Sequence, residues 1–136
     1  MTAPCPCGRL GPDKKPLPYA RCCQPWHEGP SRGQAPDAEA LMRSRYSAFV
    51  MDLIDYLQDT WHASTRPESL APNEPGLKWL GLEVRRHQQQ DTDHATVEFV
   101  ARSKLGGRAF RLHETSRFLR DPATGRWAYL DGDLHS

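Results

Sequence analysis

The chain has 136 residues, with 18 lysines and arginines against 17 aspartates and glutamates, for a formal net charge of +1. That balance gives no bulk electrostatic reason to bind nucleic acid or an anionic membrane, and no apolar run approaches the roughly 20 residues a membrane span needs. The opening Met1-Thr2-Ala3-Pro4-Cys5 lacks the charged-then-apolar pattern of a secretory leader, so a cytoplasmic protein is expected.

All four cysteines, Cys5, Cys7, Cys22 and Cys23, fall within the first 23 residues, and eight of the 12 prolines lie at or before Pro36. Proline fixes φ and removes a donor, so long regular elements are not expected in residues 1–36. So short a segment stays disordered unless a metal or disulfides tie it down. The pattern Cys-x-Cys, 14 residues, Cys-Cys offers the four thiolates of a tetrahedral structural zinc site with no position left open for catalysis. Pro6 stiffens the first pair and Gly8 lets the backbone turn after it. Arg9, Lys14, Lys15 and Arg21 flank the cysteines, where cations would offset the negative charge of a zinc tetrathiolate.

Other sulfur chemistries stay open. A bond between Cys22 and Cys23 fits badly, because adjacent Cα atoms are about 3.8 Å apart and disulfides usually need about 4.4 Å or more. Disulfides between the two pairs, or free thiols, remain alternatives, although a reducing compartment disfavours the former. Redox sites more often show Cys-x-x-Cys. His27 is the substitute ligand should Cys22 or Cys23 not bind, and Trp26 either covers the knuckle or forms an anchor for a partner.

From Asp37 the character changes. Asp37 reads as an N-cap with Glu39 in the first turn, and Ala38, Leu41, Met42, Phe49, Leu53 and Leu57 recur at helical spacing. The spacing predicts a helix over 37–60, bent near Asp52. Residues 63–78 carry three prolines and read as a connection. The period then switches to two. Leu80, Leu82 and Val84 alternate with polar residues, a polar loop follows from His87 to His94, and Val97–Ala101 forms the second strand. Gly106-Gly107 turns into a strand from Phe110 to Leu119, and Asp121–Gly125 turns into Trp127–Leu130. The expected fold class is α+β: a knuckle over residues 1–36, then a helix packed on a curved antiparallel meander over 37–136.

Strand alternation puts Phe110, Leu112, Glu114, Ser116 and Phe118 on one face of the third strand. Its apolar members mark that face as inner, so Glu114 and Ser116 point inward. On the helix, Arg45 lies within the stripe of Leu41, Met42 and Phe49. A buried carboxylate must be paired or protonated, so Arg45 is expected to pair with Glu114 across the helix–sheet interface. Three readings follow: a structural ion pair; a pocket lined by Glu114, Arg45, Tyr46, Trp61 and Tyr129 for a small polar or aromatic ligand; or acid–base chemistry at Glu114. His113 should face away from Glu114. His62 follows Trp61 at the helix end, where a cation would favour the dipole, and His87, His94 and His135 lie in loops or at the tail without metal spacing. Trp61, Trp79 and Trp127 read first as packing.

Cys5-Pro6-Cys7-Gly8, Tyr19-Ala20-Arg21-Cys22-Cys23 and Trp26-His27-Glu28-Gly29 resemble the SEC-C zinc motif at the C-terminal end of the SecA translocation ATPase. Here Cys22-Cys23 stands where SecA has Cys-His, and Arg9 to Leu17 looks like an insertion of about six residues, which loop-closure entropy tolerates. The resemblance extends through Ala38–Tyr46, Asp55-Tyr56-Leu57, Thr60-Trp61-His62, Val97-Glu98-Phe99, His113–Phe118 and Gly125–Tyr129 to the bacterial YchJ family. It implies a cone-shaped fold similar to nuclear transport factor 2 (NTF2), or cystatin-like, and a structural zinc ion, but no activity. The expected role is a non-enzymatic adaptor in which the knuckle presents Arg9, Lys14, Lys15, Arg21 and Trp26 as a small basic-aromatic surface; the likeness to SecA implies a chaperone or the ribosome as its partner. Nucleic-acid binding by the knuckle is the weaker expectation, because its charge is local and few aromatics interleave it.

Overall fold

The computed structural model describes residues 3–135. Met1 and Thr2, part of the opening read above for a leader, lie outside the described residues. The N-terminal segment folds back on itself. Leu17 N–H donates to Arg9 O and Gly11 N–H to Lys15 O, both at 2.9 Å, and bridges join Pro4 to Pro18 and Leu10 to Pro16. The stretch read as an inserted loop is therefore a small paired hairpin, with Lys14 at its tip in left-handed backbone (φ 62°). A 3₁₀ turn, Tyr19–Arg21, and a single turn of helix, α1 (Gln24–His27), follow.

The helix predicted over 37–60 is two helices, α2 (Ala38–Val50) and α3 (Ile54–Asp59). Asp37 caps α2 by accepting from Ala40 N–H at 2.8 Å, which supplies one of the orphan donors of the first turn. Asp52 interrupts the run at φ +56°. That conformation ends an α-helix and is one that Asp tolerates better than most residues.

Four strands, β1 (Lys78–Asp91), β2 (His94–Leu105), β3 (Arg108–Arg120) and β4 (Trp127–Leu134), pair in sequence order as one antiparallel meander. Gly106 and Gly107 both adopt positive φ (58° and 80°), as a two-residue hairpin turn requires. The segment predicted as a polar loop from His87 to His94 is mostly ladder: His87 opposes Val97, Gln88 opposes Thr96, and Asp91 opposes His94. Its side chains are largely exposed, so backbone pairing holds it without an apolar alternation to announce it. Bulges also re-aim β1. The register shifts between Trp79 and Gly81, which turns Leu80 outward at 58% exposure and brings Trp79 against the core.

Helix α2 lies across β1, β2 and β4. One hydrophobic cluster joins Leu41, Tyr46, Val97 and Phe118 to Cys5, Cys7 and Cys23, so the cysteine segment packs into the core of the α+β part. The inner face of β3 is buried only at its second half. Ser116 and Phe118 are each 2% exposed, whereas Phe110, expected inside, is 46% exposed because the strand has run past the helix there.

Candidate functional site: a cysteine cluster and an aromatic cavity

The first site is the sulfur cluster. The Sγ atoms of Cys5, Cys7, Cys22 and Cys23 all lie within 4.8 Å of one another and could hold a metal ion. Cys7 and Cys22 are 3.5 Å apart, and Cys22 and Cys23 4.0 Å. The short hairpin brings the pairs together: Cys5 N–H donates to Leu17 O, and Gly8 N–H closes a turn on Cys5 O. Hydrogen bonds with Cys22 and then Cys23 pull the Cys5 and Cys7 thiols down, Cys7 to about 7. Cys23 is pushed up, first by the same contact with Cys22. Cys22 is also raised, since its bond with Cys23 lowers it less than Cys5, Cys7 and burial raise it. Four crowded sulfurs cannot all be thiolates without a cation among them.

The helix α2 supplies the surroundings. Ser47 Oγ donates to Cys23 Sγ at 3.3 Å, and Arg43 Nη1 donates to Cys7 O at 3.2 Å. Arg9, Arg21 and Arg43 line a shallow groove beside Cys22 and Cys23, while Lys14 and Lys15 sit at the exposed hairpin tip. Trp26 is partly buried and packs between the clusters. His27 has both ring nitrogens engaged elsewhere. Its Nε2–H donates to Ser44 O at 2.7 Å, and Nδ1 meets the Tyr19 hydroxyl at 2.6 Å. Desolvation lowers its pKa, which favours the neutral ring. The imidazole ties the segment to α2, and the substitute-ligand role expected for it is not supported.

The second site is a cavity of about 390 Å³ between α2 and the inner sheet face, with Arg45, Tyr46, Trp61, Glu114, Ser116 and Tyr129 all in its lining. The segment after α3 builds one wall. Thr60 O accepts from Tyr129 N–H and His62 N–H donates to Tyr129 O, which pins Trp61 beside Tyr129 with ring centroids 5.1 Å apart. The Arg45 guanidinium lies over both rings, at 5.2 Å and 4.8 Å, and its Nη1 donates to Leu57 O and Thr60 Oγ1. Burial pulls its pKa down to about 10.

The ion pair expected between Arg45 and Glu114 is not formed. The Glu114 carboxylate instead accepts from Ser116 Oγ at 2.5 Å and Tyr129 Oη at 3.3 Å. Arg45 is committed to the carbonyl and hydroxyl at the end of α3, a demand that strand and helix patterns do not reveal. Tyr129 is pushed up to about 12, by desolvation first and then by Glu114.

Sequence reasoning missed three contributors. Trp79 reaches the cavity because of the β1 bulge, and Asn73 because its Nδ2 donates to Phe49 O from the proline-rich connection. Gly132, opposite Ser116 on β4, leaves the space the Glu114 side chain fills; a Cβ there would lie 2.7 Å from the Glu114 Cδ. A glycine inside a strand is the signal that could have revealed it. On the outer face, Glu98, His113 and His135 also come within 4.8 Å. His113 faces away from Glu114 as expected and contacts Glu98 at 2.7 Å, but its ring stacks on His135 at 4.0 Å and 10°, so the rings do not converge on one ion.

The comparisons with known proteins agree with this architecture. Residues 37–132 match the model described as YchJ, middle NTF2-like domain. A UPF0225 protein of Bordetella parapertussis is 58% identical over 132 residues, covering 97% of this chain and 93% of that protein. A UPF0225 protein of Methylibium petroleiphilum is 60% identical over 131 residues, covering 96% and 88%. The crystal structure of a SEC-C motif containing protein from Psychrobacter arcticus superposes with a TM-score of 0.74 at 31% identity, covering 98% of this chain and 83% of that one. With its NTF2-like α+β part and the cysteine cluster packed against it, the chain belongs to the YchJ family.

Proposed function

We propose that the protein is a binder of a small, flat molecule in the cavity between α2 and the sheet, with a structural zinc ion in the cysteine cluster fixing the wall behind α2. The cavity carries this reading. Its volume of about 390 Å³ falls in the range of small-ligand pockets, and Tyr46, Phe49, Trp61, Trp79, Phe99 and Phe118 surround a few polar groups. Such a lining binds by burial and aromatic contact and orients by hydrogen bonds. Arg45, Tyr46 and Tyr129 stay protonated at neutral pH, since Arg45 keeps a value of about 10 and burial raises both phenols. That favours recognition over proton transfer.

Zinc suits the sulfur set. Four thiolates about 2.3 Å from a tetrahedral ion stand about 3.8 Å apart, close to the 3.5 and 4.0 Å separations of Cys7, Cys22 and Cys23. Bound there, the ion would supply cross-linking and charge balance; Cys5, Cys7, Cys22 and Cys23 would hold it, with Ser47 donating to sulfur. A second reading, a protein adaptor, draws on the groove formed by Arg9, Arg21 and Trp26 beside Cys22. It has one specific feature behind it against the several that favour the cavity.

Two measurements test the proposal. Metal analysis of protein purified under reducing, chelator-free conditions should give about one equivalent of zinc, as a closed thiolate site implies. The fluorescence of N-phenyl-1-naphthylamine should rise on addition of the protein and fail to rise with Ala101→Phe, which fills the cavity where Ala101 now lines it. No enhancement with the wild-type protein would refute the binding role.

A further inference from the structure

Two charged groups of opposite kind flank Tyr129 in the cavity lining, the Arg45 guanidinium over its ring and the Glu114 carboxylate at its hydroxyl. The buried indole N–H groups of Trp61 and Trp79 add two further donors without acceptors among the described residues. Arg45, on α2, is 5% exposed and makes its hydrogen bonds through Nη1 alone. Its Nε and Nη2 have no acceptor among the described residues. Glu114, on β3, accepts through Oε2, and its Oε1 has no donor among the described residues. Arg45 therefore offers N–H groups and Glu114 a carboxylate oxygen on either side of Tyr129, and no ion pair joins them.

Each ligand class meets this pair differently. An anion gains at Arg45 and is repelled at Glu114; a cation meets the reverse. A hydrocarbon covers both groups and leaves each unpartnered in a low-dielectric space, which costs more than exposure to water. A planar neutral ring with a carbonyl next to an N–H satisfies both at once, and its faces lie against the aromatic walls. We infer that the cavity takes a neutral heteroaromatic molecule with a cyclic-amide edge, its carbonyl accepting from Arg45 and its N–H donating to Glu114 Oε1. This assignment rests on the cavity reading above and specifies the ligand class for it.

The test is displacement of N-phenyl-1-naphthylamine from the full-length, zinc-loaded protein by three bicyclic probes of similar size: quinolin-2(1H)-one, naphthalene and naphthalene-2-carboxylate. Quinolin-2(1H)-one should displace the reporter at concentrations at least tenfold lower than either of the others. Glu114→Gln keeps the side-chain shape but removes the charge that repels an anion, so it should improve displacement by naphthalene-2-carboxylate at least tenfold. Naphthalene or naphthalene-2-carboxylate matching quinolin-2(1H)-one on the wild-type protein would overturn the cyclic-amide assignment while leaving a binding cavity. Failure of the reporter itself to bind would overturn both. The order of the probes on the wild-type protein needs no variant, so a poorly folding Glu114→Gln would not rescue the idea.

Discussion

The Ser47 hydroxyl, on the helix that opens the α+β part, lies 3.3 Å from the Cys23 sulfur, and the same oxygen is 3.5 Å from Cys5 Sγ. The cysteine cluster is thus seated on α2, and its ligation state reaches the core. Cys7→Ser should abolish stoichiometric metal and lower stability by more than about 3 kcal/mol, as loss of a structural metal does. Metal analysis and thermal unfolding check it. Ser47→Ala, which removes one hydroxyl donor, should keep the metal and cost about 1 kcal/mol.

His27 adds a pH dependence. Its imidazole is buried, donates to Ser44 O and has a lowered pKa. The unfolded chain, with His near about 6.5, therefore takes up this proton at higher pH than the folded one does. The contribution is complete above that value and is lost as pH falls from about 6.5 through the lowered folded pKa. In denaturant unfolding of zinc-loaded protein, the stability gap between wild type and His27→Asn should narrow from about pH 7.5 to about pH 5.5, a span that brackets the ordinary imidazole pKa. A gap that stays constant or widens contradicts the neutral, buried imidazole.

Arg45 and Glu114 should respond unequally to truncation. Arg45→Ala removes the guanidinium donor from Thr60 Oγ1 and from Leu57 O, which keeps only a longer contact from the Thr60 hydroxyl, and takes a cation from two aromatic faces. A loss of about 3 kcal/mol is expected. Glu114→Ala removes the acceptor of Ser116 and Tyr129 and should cost about 2 kcal/mol. Urea unfolding of the two variants separates this arrangement from a buried ion pair, in which removal of either partner would be strongly destabilising.

Gly132→Ala would force the Glu114 side chain to move, because the added carbon falls 2.9 Å from Glu114 Cγ and closer to its carboxylate. The expected loss is about 1–3 kcal/mol, the usual result of overpacking. Reporter binding should weaken in parallel as the carboxylate swings into the cavity. A variant as stable as wild type, with unchanged binding, would show that the carboxylate does not depend on that gap.

Much of this molecule was legible before any coordinates. Clustering of the four cysteines, the Asp37 cap, the change from helical to alternating period and the paired glycines at 106–107 are local signals, each set by a few neighbouring residues. The family resemblance carried by those segments named the fold. Strand alternation also placed Glu114 and Ser116 on the inner face, because the pleat has a period of two wherever no bulge intervenes.

What the tertiary structure decided depended on contacts between distant residues. The bulge at Leu80 exchanged that side chain for Trp79, and no local pattern fixes where a ladder slips. The polar end of β1 pairs through backbone groups, which every residue but proline carries, so its side chains were silent about it. Arg45 turned to Leu57 and Thr60, and His27 to Ser44, because a buried donor takes whichever acceptor the packing brings within reach. Composition and periodicity therefore settled which elements form, while the partners of the buried polar groups followed only from where those elements met.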